Sequence, residues 1–358
     1  MIYKDITIEK FRGIKSLPIK DLGRVNLFVG KNNSGKTSVL EAIFLITGIS
    51  NPQLAISIDL FRELVHNEAD DFRFIFYGLD YLNEPKLEAL LYSRTVRTLN
   101  IQPTLTTRVN SSDSSIEISK TSASTSDLNL SSDGIVFNFS IKAYHSRVTT
   151  HKSTLSFEGR TFKQEPAKNY KETLAGVFIS SNFSNAADLP ARLERIIVEK
   201  RKSDIIEILK IVDQNIKDII IGVNNMIYLD IGLNKYIPTN MQGDGLNKLL
   251  KFITAIYYNK DGLIFIDEIE NGFHYKIFRS LWKAIIKAAQ VFNVQLFITT
   301  HNYELITQLK NALDDQEMES ERANISTYSL IRNQDNISAI RYDYSQFENA
   351  ISAGLEIR

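Results

Sequence analysis

Apolar and polar positions recur along this chain with the periods of strands and helices. Near the N-terminus Ile6 and Ile8 alternate with polar residues, which predicts a strand, and the apolar run 25–29 predicts a second, buried strand. Over residues 36–46 the apolar positions fall on one face of a helix, and Gly48 ends that pattern. The chain is therefore expected to begin as strand, strand and helix.

The middle of the chain has a mostly β pattern, from about residue 71 to residue 164. Phe72, Phe74 and Phe76 alternate with other residues, and this spacing of two predicts a strand. Within the same region, residues 104–132 are about half Ser and Thr. Such a composition buries little apolar surface, so we expect a long polar loop or a poorly ordered excursion there.

The second half of the chain returns to helical spacing. Residues 186–221 are predicted to be helical, and the charges scattered over 192–210 indicate a solvent-facing surface. The elements predicted after them are a strand at 227–231, a helix at 246–258, a strand at 263–266, a helix at 275–290, a strand at 294–300 and a closing α/β segment.

Composition narrows the possible function classes. The 358 residues carry 42 basic and 42 acidic side chains and no cysteine, and this length suggests about two domains. The lack of Cys excludes a disulfide scaffold, a thiolate-bound metal and a thiol nucleophile. Zero net charge argues against wrapping nucleic acid by bulk electrostatics. One local basic strip stays open as a DNA surface: Arg192, Arg195, Lys200, Arg201 and Lys202.

No stretch of the sequence approaches the roughly 20 apolar residues that a membrane-spanning helix needs. The N-terminus also lacks the apolar core of a secretory signal. We therefore expect no membrane partner and a cytoplasmic location.

A phosphate-binding motif follows the second predicted strand. Residues 30–37 match G-x-x-x-x-G-K-[S/T] in full, between an apolar strand and an amphipathic helix. The glycines at 30 and 35 let backbone N–H groups close around phosphates, and the helix N-terminus adds a positive dipole end. Lys36 is expected to neutralise the β- and γ-phosphates, and the Thr37 hydroxyl to bind Mg²⁺.

Two acids and a histidine lie at the ends of later strands. The apolar strand 263–266 runs into Asp267 and Glu268. Asp267 is expected to face the metal beside Thr37, and Glu268 to polarise a water for in-line attack on the γ-phosphate. The next strand ends at His301, which can donate a hydrogen bond to the γ-phosphate and so sense its presence.

A glycine-rich segment opens the helix predicted at 246–258. It reads Met241-Gln242-Gly243-Asp244-Gly245. A helix N-terminus of this kind is an anion site, but a simple turn with a helix cap explains the same residues equally well.

These elements, in this order, resemble the ABC-type ATPase heads of the SMC, RecF and OLD group. More closely, the chain is similar to the small OLD-like ATPases of bacterial antiphage defence. The resemblance rests on Phe11-Arg12-Gly13-Ile14, on Asn32-Asn33-Ser34 inside the phosphate loop, on Gly243-Asp244-Gly245, on the run from Asp267 to His274, on Thr300-His301-Asn302 and on the ending Gly354-Leu355-Glu356-Ile357-Arg358.

The resemblance implies an α/β fold: an ABC-type P-loop ATPase head with a mostly parallel core sheet, an antiparallel β-rich arm and a helical lobe. We expect the first part of the ATPase core at 1–52, the arm at 53–171, the lobe at 172–240 and the second part of the core at 241–358. It also implies ATP and Mg²⁺ as cofactors, and a homodimer or higher homo-oligomer whose heads share composite ATP sites.

The resemblance assigns roles to individual residues as well. The nucleotide-binding residues are expected to be Arg12, Gly30, Asn32, Asn33, Ser34, Gly35, Lys36, Thr37 and Ser38, with Gln242, Gly243, Asp244 and Gly245 acting on the nucleotide of the other protomer. The expected catalytic residues are Glu268, His301 and Lys36, and the expected metal ligands are Thr37 and Asp267. Three features depart from the family pattern. Gln242 replaces the usual signature Ser, and His274 replaces an Asp. No clear Q-loop glutamine follows a strand before the helical lobe; Ser180-Ser181-Asn182 lies at the expected place and is not assigned that role.

Three functions remain in competition. Only 57 residues follow His301, fewer than the roughly 100 of an added domain, so we expect no nuclease in the same chain. The first hypothesis is then an ATP-driven sensor or scaffold that controls a separate effector, a nuclease or toxin. The alternative is a RecF- or SMC-like DNA-repair ATPase that clamps DNA directly. A transporter ATPase ranks lowest, because such a head rarely carries so large a β arm.

Overall fold

A computed structural model describes residues 1–65, 69–106, 131–158, 161–180, 189–334, 336–355 and 357. The strands are β1 (Tyr3–Phe11), β2 (Ile14–Ile19), β3 (Val25–Val29), β4 (Lys86–Leu91), β5 (Val96–Thr106), β6 (Ser131–Lys142), β7 (Thr149–Glu158), β8 (Thr161–Glu165), β9 (Gly176–Ile179), β10 (Asp218–Ile221), β11 (Ile227–Asp230), β12 (Ile237–Pro238), β13 (Leu263–Ile266), β14 (Gln295–Thr300), β15 (Ile325–Asn333) and β16 (Asn336–Tyr342). The α-helices are α1 (Lys36–Thr47), α2 (Gln53–Leu60), α3 (Leu189–Val198), α4 (Lys202–Lys210), α5 (Asp244–Tyr258), α6 (Phe278–Val291), α7 (Tyr303–Leu313) and α8 (Tyr344–Ser352).

The core sheet is mostly parallel, as the sequence predicts. Within the described residues it has six strands in the order β16-β15-β3-β14-β13-β9. Only the β15–β16 pair is antiparallel. The central strand β3 is buried at all five positions. Leu27 packs into the core shared with α5, α6 and α7, and Phe28 into the core shared with α1. The sheet is therefore covered on both faces, which explains its unbroken apolar strands.

The second sheet is antiparallel throughout. In the described part of the chain its order is β2-β1-β4-β5-β6-β7-β8. The arm thus shares one sheet with β1 and β2, which lie in the range 1–52 expected for the ATPase core. Conversely β9, inside the range 172–240 expected for the lobe, is an edge strand of the core sheet. Helix α1 packs against both sheets, and nearly all of its residues are buried.

The strand predicted at Phe72–Phe76 is wrong. Residues Ala69–Ile75 form a 3₁₀ helix, and Phe76 makes only an isolated bridge with Phe11. Phe72, Ile75 and Phe76 are buried, whereas Phe74 is only partly so. The buried side chains therefore follow helical spacing, and the alternation of Phe residues was misleading.

The single helical region predicted at 186–221 is also wrong. Helix α4 ends at Lys210, and the chain turns at Asp213, whose carboxylate accepts the N–H of Asn215 at 2.9 Å. The β-branched run that follows forms β10, which pairs with β11. The Asx turn and the isoleucines override the helical pattern.

The polar excursion predicted at 104–132 lies mostly outside the described residues. At its two ends Thr106 pairs with Ser131, and Leu105 with Ser132, in the β5–β6 ladder. The helices at 36–46 and 246–258 and the strand at 263–266 are confirmed as α1, α5 and β13. Among the helices that the structure describes, none has the length and apolarity needed to cross a bilayer.

Candidate active site

The candidate site lies where three neighbouring parallel strands of the core sheet end. Strand β14 pairs with β3 on one side and with β13 on the other. The loop 30–37 follows β3, Asp267 and Glu268 follow β13, and His301 follows β14. Parallel strands present their carboxyl ends at one edge, where such sheets bind their ligands. The fold therefore brings together groups that are more than 200 residues apart.

The loop 30–37 has the backbone of an anion cradle. Gly30 has φ +155°, and a Cβ there would lie 2.7 Å from the carbonyl oxygen of Leu330. Gly35 begins α1 with φ +94°, and no side chain of the described residues caps the helix. The N–H groups of the first turn therefore lack intrahelical partners. Ser34 Oγ is buried and has no hydrogen-bond partner in the described structure. These polar groups fit a bound phosphate chain.

The backbone of the phosphate loop 30–37 holds the side chain of Lys36. Its side chain is buried, and Nζ donates to the carbonyl oxygens of Gly30 at 2.8 Å and Lys31 at 2.9 Å. An ammonium group has three donors, so one more bond to a ligand can be made without breaking these two. Burial lowers the pKa of Lys36, while the charges of nearby carboxylates, Glu268 first among them, oppose that shift.

Thr37 and Asp267 are in direct contact. Thr37 Oγ1 lies 3.1 Å from each carboxylate oxygen of Asp267. Thr299 Oγ1 donates to Asp267 Oδ1 at 2.6 Å and accepts the N–H of Glu268 at 2.8 Å. Burial raises the pKa of Asp267, and the hydrogen bonds from Thr299 and Thr37 lower it. One hydroxyl and one carboxylate form a ligand pair suited to Mg²⁺, which takes its other ligands from phosphate and water.

Glu268 and His301 lie side by side. Glu268 has φ +50°, and its half-exposed carboxylate accepts from Asn271 Nδ2 at 3.0 Å. His301 Nδ1 lies 3.7 Å from Glu268 Oε1 and 3.1 Å from Glu270 Oε1. No cluster of three His, Asp or Glu residues in the described chain forms a closed metal site. The edge is thus an open site of acids, a hydroxyl and an imidazole.

Arg12 reaches this edge, but carboxylates hold its guanidinium. It lies 2.7 Å from Glu41 and 2.7 Å from Asp59. Arg62, which sequence reasoning missed, binds the same Glu41 at 2.6 Å and donates to Ser38 at 3.1 Å. Burial raises the pKa of Glu41, and the two arginines lower it. The sequence signal for Arg62 was the position of Glu41 on the buried surface of α1, because a buried carboxylate requires cationic partners.

A cavity of about 760 Å³ lies over the loop. Its lining includes Arg12, Gly13, residues 32–38, Arg62, Leu64, Phe74, residues 76–79, Glu268 and Arg332. Arg332 also donates to the Asn33 carbonyl at 2.9 Å and so fixes the loop. A smaller cavity of about 310 Å³ also borders Thr37, and Asp267 and Ser180, directly after β9, contribute to its lining. Ser181 and Asn182, the next two residues of the segment where the Q-loop is expected, lie outside the described residues.

The glycine-rich segment 241–245 does not join this site. No described residue of that segment lines either cavity beside Thr37. Gln242 and Gly243 are exposed, and Gly245 lies in the first turn of α5. At Gly243, with φ +95°, an added Cβ would meet no described atom within 4 Å. The segment is a surface feature of this chain.

Comparisons with known proteins bear on both the fold and the site. Residues 25–307 match the model of a family described as "AAA domain, putative AbiEii toxin, Type IV TA system". A Helicobacter pylori protein named ATP/GTP phosphatase is 24% identical over 339 residues, which cover 88% of this chain and 89% of that protein. The DNA replication and repair protein RecF of Clostridioides difficile is 40% identical over 47 residues, 13% of each chain.

One solved structure supports the architecture. The crystal structure of an SMC head bound to the C-winged helix domain of ScpA superposes with a TM-score of 0.50 at 10% sequence identity, covering 98% of this chain and 100% of that one. A likeness at so low an identity shows the fold alone, that of an ABC-type α/β ATPase head.

Proposed function

The chain belongs to the AAA-domain family whose model it matches and is an ATPase, and we propose that it is a dimeric, nucleotide-driven switch in bacterial antiphage defence. In this proposal ATP binding and hydrolysis control a separate effector, a nuclease or a toxin. The observation that carries the catalytic part is the contact of Thr37 with Asp267 at 3.1 Å, which joins the phosphate loop to the acids.

Each residue has a defined part in hydrolysis. Lys36 and the N-terminus of α1 hold the phosphates, and Thr37 with Asp267 would hold Mg²⁺, which neutralises charge on the transferring phosphoryl group. Glu268 polarises the attacking water from its half-exposed position beside the cavity. His301 donates to the γ-phosphate. The loop residues Asn32, Asn33 and Ser34 also hold the phosphates. They contribute backbone N–H donors, and Ser34 adds its hydroxyl.

The segment 241–245, whose first three residues are exposed, supports the dimer. It is a helix N-terminus with an open glycine, which suits an anion, yet no described residue of it reaches the cavity of its own chain. A second copy can offer this segment to the γ-phosphate instead. Each ATP would then be enclosed by Lys36 of one protomer and Gly243 of the other.

The family description, which includes a toxin–antitoxin system, favours control of an effector. The charges of the lobe favour it as well. Arg201 pairs with Asp204 at 2.7 Å, and Lys202 pairs with Asp218 at 2.7 Å. Arg195 lies over the Tyr258 ring. Two of the five basic side chains of the strip are therefore paired with carboxylates, which weakens their binding to a DNA backbone.

A DNA clamp remains the alternative, because a short part of the chain is similar to RecF. Filter binding to duplex DNA over a salt series separates the two. A clamp requires an affinity that falls steeply with salt, whereas an effector switch requires little binding at any salt concentration.

Dimer closure is tested with Glu268→Gln, which keeps the shape of the side chain and removes the base. Loss of one general base costs about 10²–10⁴-fold in rate, so ATP persists long enough to hold two heads together. Sedimentation and small-angle scattering should show a closed dimer with ATP and not with ADP. An unchanged mass and shape with ATP would contradict the composite site.

A pair of glycine variants tests the role of the segment 241–245 separately from the rest of the site. Gly243→Leu should prevent closure in the Glu268→Gln background. Gly354→Leu is the matched control, because Gly354 also has positive φ and no described atom within 4 Å of an added Cβ. If both variants close equally well with ATP, the segment 241–245 does not cap the nucleotide.

The link between ATP and defence is tested at Lys36. Lys36→Ala should lose ATP binding by calorimetry, because Lys36 is the cation buried within the phosphate loop. Lys31→Ala is the control, since that exposed side chain lies in the same loop. In cells carrying the chain with its neighbouring genes, only Lys36→Ala should abolish protection against phage. Wild-type affinity in Lys36→Ala would refute the assignment of the loop.

A further inference from the structure

A second large cavity, of about 560 Å³, lies beside helix α5 and away from the phosphate loop. Part of its lining is apolar and includes the buried side chains of Ile179, Leu189 and Ile227. None of the described residues that line the cavity over the phosphate loop also lines this one. The hydrolytic scheme therefore gives this space no role, although its volume suits a small organic ligand.

Two lysines of helix α5 give this cavity a positive charge. Lys248 and Lys251 both line it. Lys248 Nζ donates to the backbone carbonyl of Asn271, and neither ammonium group forms an ion pair within the described part of the chain. Burial lowers the pKa of Lys248 to about 8, the charge of Glu270 opposes that shift, and the charge of Lys251 adds to it. A cation withdrawn from water without a counter-charge favours an anionic ligand.

The remaining polar groups of the cavity are mostly side-chain amides. The amides that line it are those of Asn225, Asn240, Asn247 and Asn271. Asn247 Nδ2 donates to Asn240 Oδ1 at 2.8 Å, so the oxygen of Asn247 and the NH₂ group of Asn240 keep their hydrogen-bonding capacity among the described residues. An amide side chain offers both donors and an acceptor, and this mixture matches the edge of a nucleobase.

We propose that this cavity binds a nucleotide, with its phosphate on Lys248 and Lys251 and its base among the amides. A nucleoside monophosphate is the smallest ligand that has both parts. A free nucleotide and the 5′-phosphorylated end of a nucleic acid strand share this chemistry, and binding experiments separate them. The site itself does not depend on the proposed function, whereas its coupling to hydrolysis rests on that function.

Asn271 connects this cavity to the proposed catalytic base. Its backbone carbonyl accepts from Lys248, and its Nδ2 donates to Glu268 at 3.0 Å. An ammonium group has three donors, so Lys248 can bind a phosphate and the Asn271 carbonyl together. A bound phosphate keeps Lys248 charged and in place against the turn that carries Asn271. Occupancy of the cavity should therefore steady Glu268 and raise the rate of ATP hydrolysis.

Nucleoside monophosphates test the site, because they lack the β- and γ-phosphates that the loop 30–37 is expected to hold. AMP, GMP, CMP and UMP are titrated into the full chain by calorimetry and by methyl spectra of ¹³C-methionine-labelled protein. The chain has four methionines, of which Met226 lines this cavity and Met318 does not; Met226→Leu and Met318→Leu assign the two signals. At least one probe should bind and shift the Met226 signal but not that of Met318. Binding that leaves Met226 unshifted, or no binding in the millimolar range, would overturn the proposal.

Two variants alter the recognition groups and leave the hydrolytic residues in place. Lys251→Met keeps the length of the side chain and should weaken binding by about tenfold or more, since a hydrogen bond to a charged group is lost. Asn240→Asp keeps the shape and should also weaken binding, because it sets a negative charge against the phosphate. Lys260→Met, at an exposed lysine just after α5, is the control for loss of charge. Wild-type affinity in both cavity variants would refute the assignment of the site.

Lys36→Ala separates this cavity from the phosphate loop. The monophosphate should bind this variant with wild-type affinity, because Lys36 does not line the cavity. Loss of binding would show that the probe occupies the phosphate loop, and would overturn the proposal.

A short oligonucleotide of the preferred base, with and without a 5′-phosphate, identifies the source of the ligand. Tighter binding than the mononucleotide, lost without the 5′-phosphate, supports a strand end. Equal or weaker binding supports a free nucleotide.

Steady-state kinetics at saturating ATP and Mg²⁺ test the coupling. The monophosphate should raise kcat by roughly fivefold, the lower end of the usual coupling between two ligand sites, and should have no effect on Lys251→Met. A rate that does not respond in the wild type would refute the coupling through Asn271. Absence of any ATPase activity would instead refute the proposed function, and the binding and methyl spectra would still decide whether the cavity is a nucleotide site.

Discussion

At the scale of single residues, one hydroxyl sets the arrangement of both acids. Thr299 is fully buried, and its Oγ1 donates to Asp267 and accepts the N–H of Glu268. The side chain proposed to bind the metal and the backbone of the proposed base are therefore positioned by the same atom. Sequence reasoning identified His301 two residues further on, but Thr299 is an ordinary residue for a strand and gave no signal.

Thr299→Val should weaken Mg²⁺ binding in the presence of ATP by about tenfold or more. A hydrogen bond to a charged group contributes about 1.5–3 kcal/mol, and Val keeps the shape but not the donor. Since that bond lowers the pKa of Asp267, its loss should raise the pKa, so that Mg²⁺-dependent ATPase activity falls at a higher pH on the acid side. Thr299→Ser, which keeps the hydroxyl, should behave like the wild type. Identical pH profiles for the Val and Ser variants would contradict this.

At the scale of elements, α1 is held at both ends. Its N-terminus carries the phosphate loop, and its C-terminus meets the arm. Arg97 on β5 donates to the carbonyl of Thr47 at 3.1 Å and forms a bidentate pair with Glu172 at 3.0 and 2.8 Å. The last carbonyls of a helix lack intrahelical partners and favour a cation. Arg97 therefore joins the arm to the helix that holds the nucleotide loop.

Arg97→Met should lower the free energy of unfolding by about 3 kcal/mol, because it leaves the partly buried carboxylate of Glu172 without its cationic partner. Adding Glu172→Gln should restore part of the loss, since the uncompensated charge is then removed. Lys163→Met tests an ion pair between exposed residues, with Glu158 at 3.2 Å, and should change stability by less than about 1 kcal/mol. Urea unfolding measures all three. A similar cost for Arg97→Met and Lys163→Met would refute the coupling.

The elements also show what the sequence can and cannot predict. Helix α1 is long and strand β13 is strongly apolar, and motif residues adjoin both. The sequence pattern was therefore sufficient to predict these two elements. At Phe72–Phe76 two periods competed, and burial against the arm selected the helical one. The pairing of β1 with β4, across a long insertion, and the ion pair of Arg62 with Glu41 depend on tertiary partners. Neither leaves a local signal in the chain.

At the scale of the whole molecule, strands β5 and β6 of the arm stay paired up to the polar segment, with one register shift between Pro103 and Leu105. Thr106 pairs with Ser131, the last described pair before residues 107–130. Neighbouring antiparallel strands can be joined by a two-residue Asn-Gly turn. The polar segment can therefore be replaced without moving either strand.

Replacing residues 107–130 by Asn-Gly should leave the fold and the basal ATPase rate unchanged, because those residues offer little apolar surface to bury. Thermal unfolding and steady-state hydrolysis are compared with those of the full chain. As a control, the same turn placed between Leu99 and Phe139, which removes buried core residues, should lower the melting temperature strongly. A fall of many degrees in the first variant would mean that the segment belongs to the core.

The strand order of the core sheet has a consequence for synthesis of the chain. Strand β3 is made early, but its two partners, β14 and β15, begin roughly 270 and 300 residues later. At about 5–20 residues per second the ribosome needs on the order of 15–60 s to supply them. Throughout that time β3 is an apolar strand whose two edges lack their pairing partners. Nascent chains of this protein should therefore depend on chaperones, and chains arrested before β14 should aggregate or be degraded.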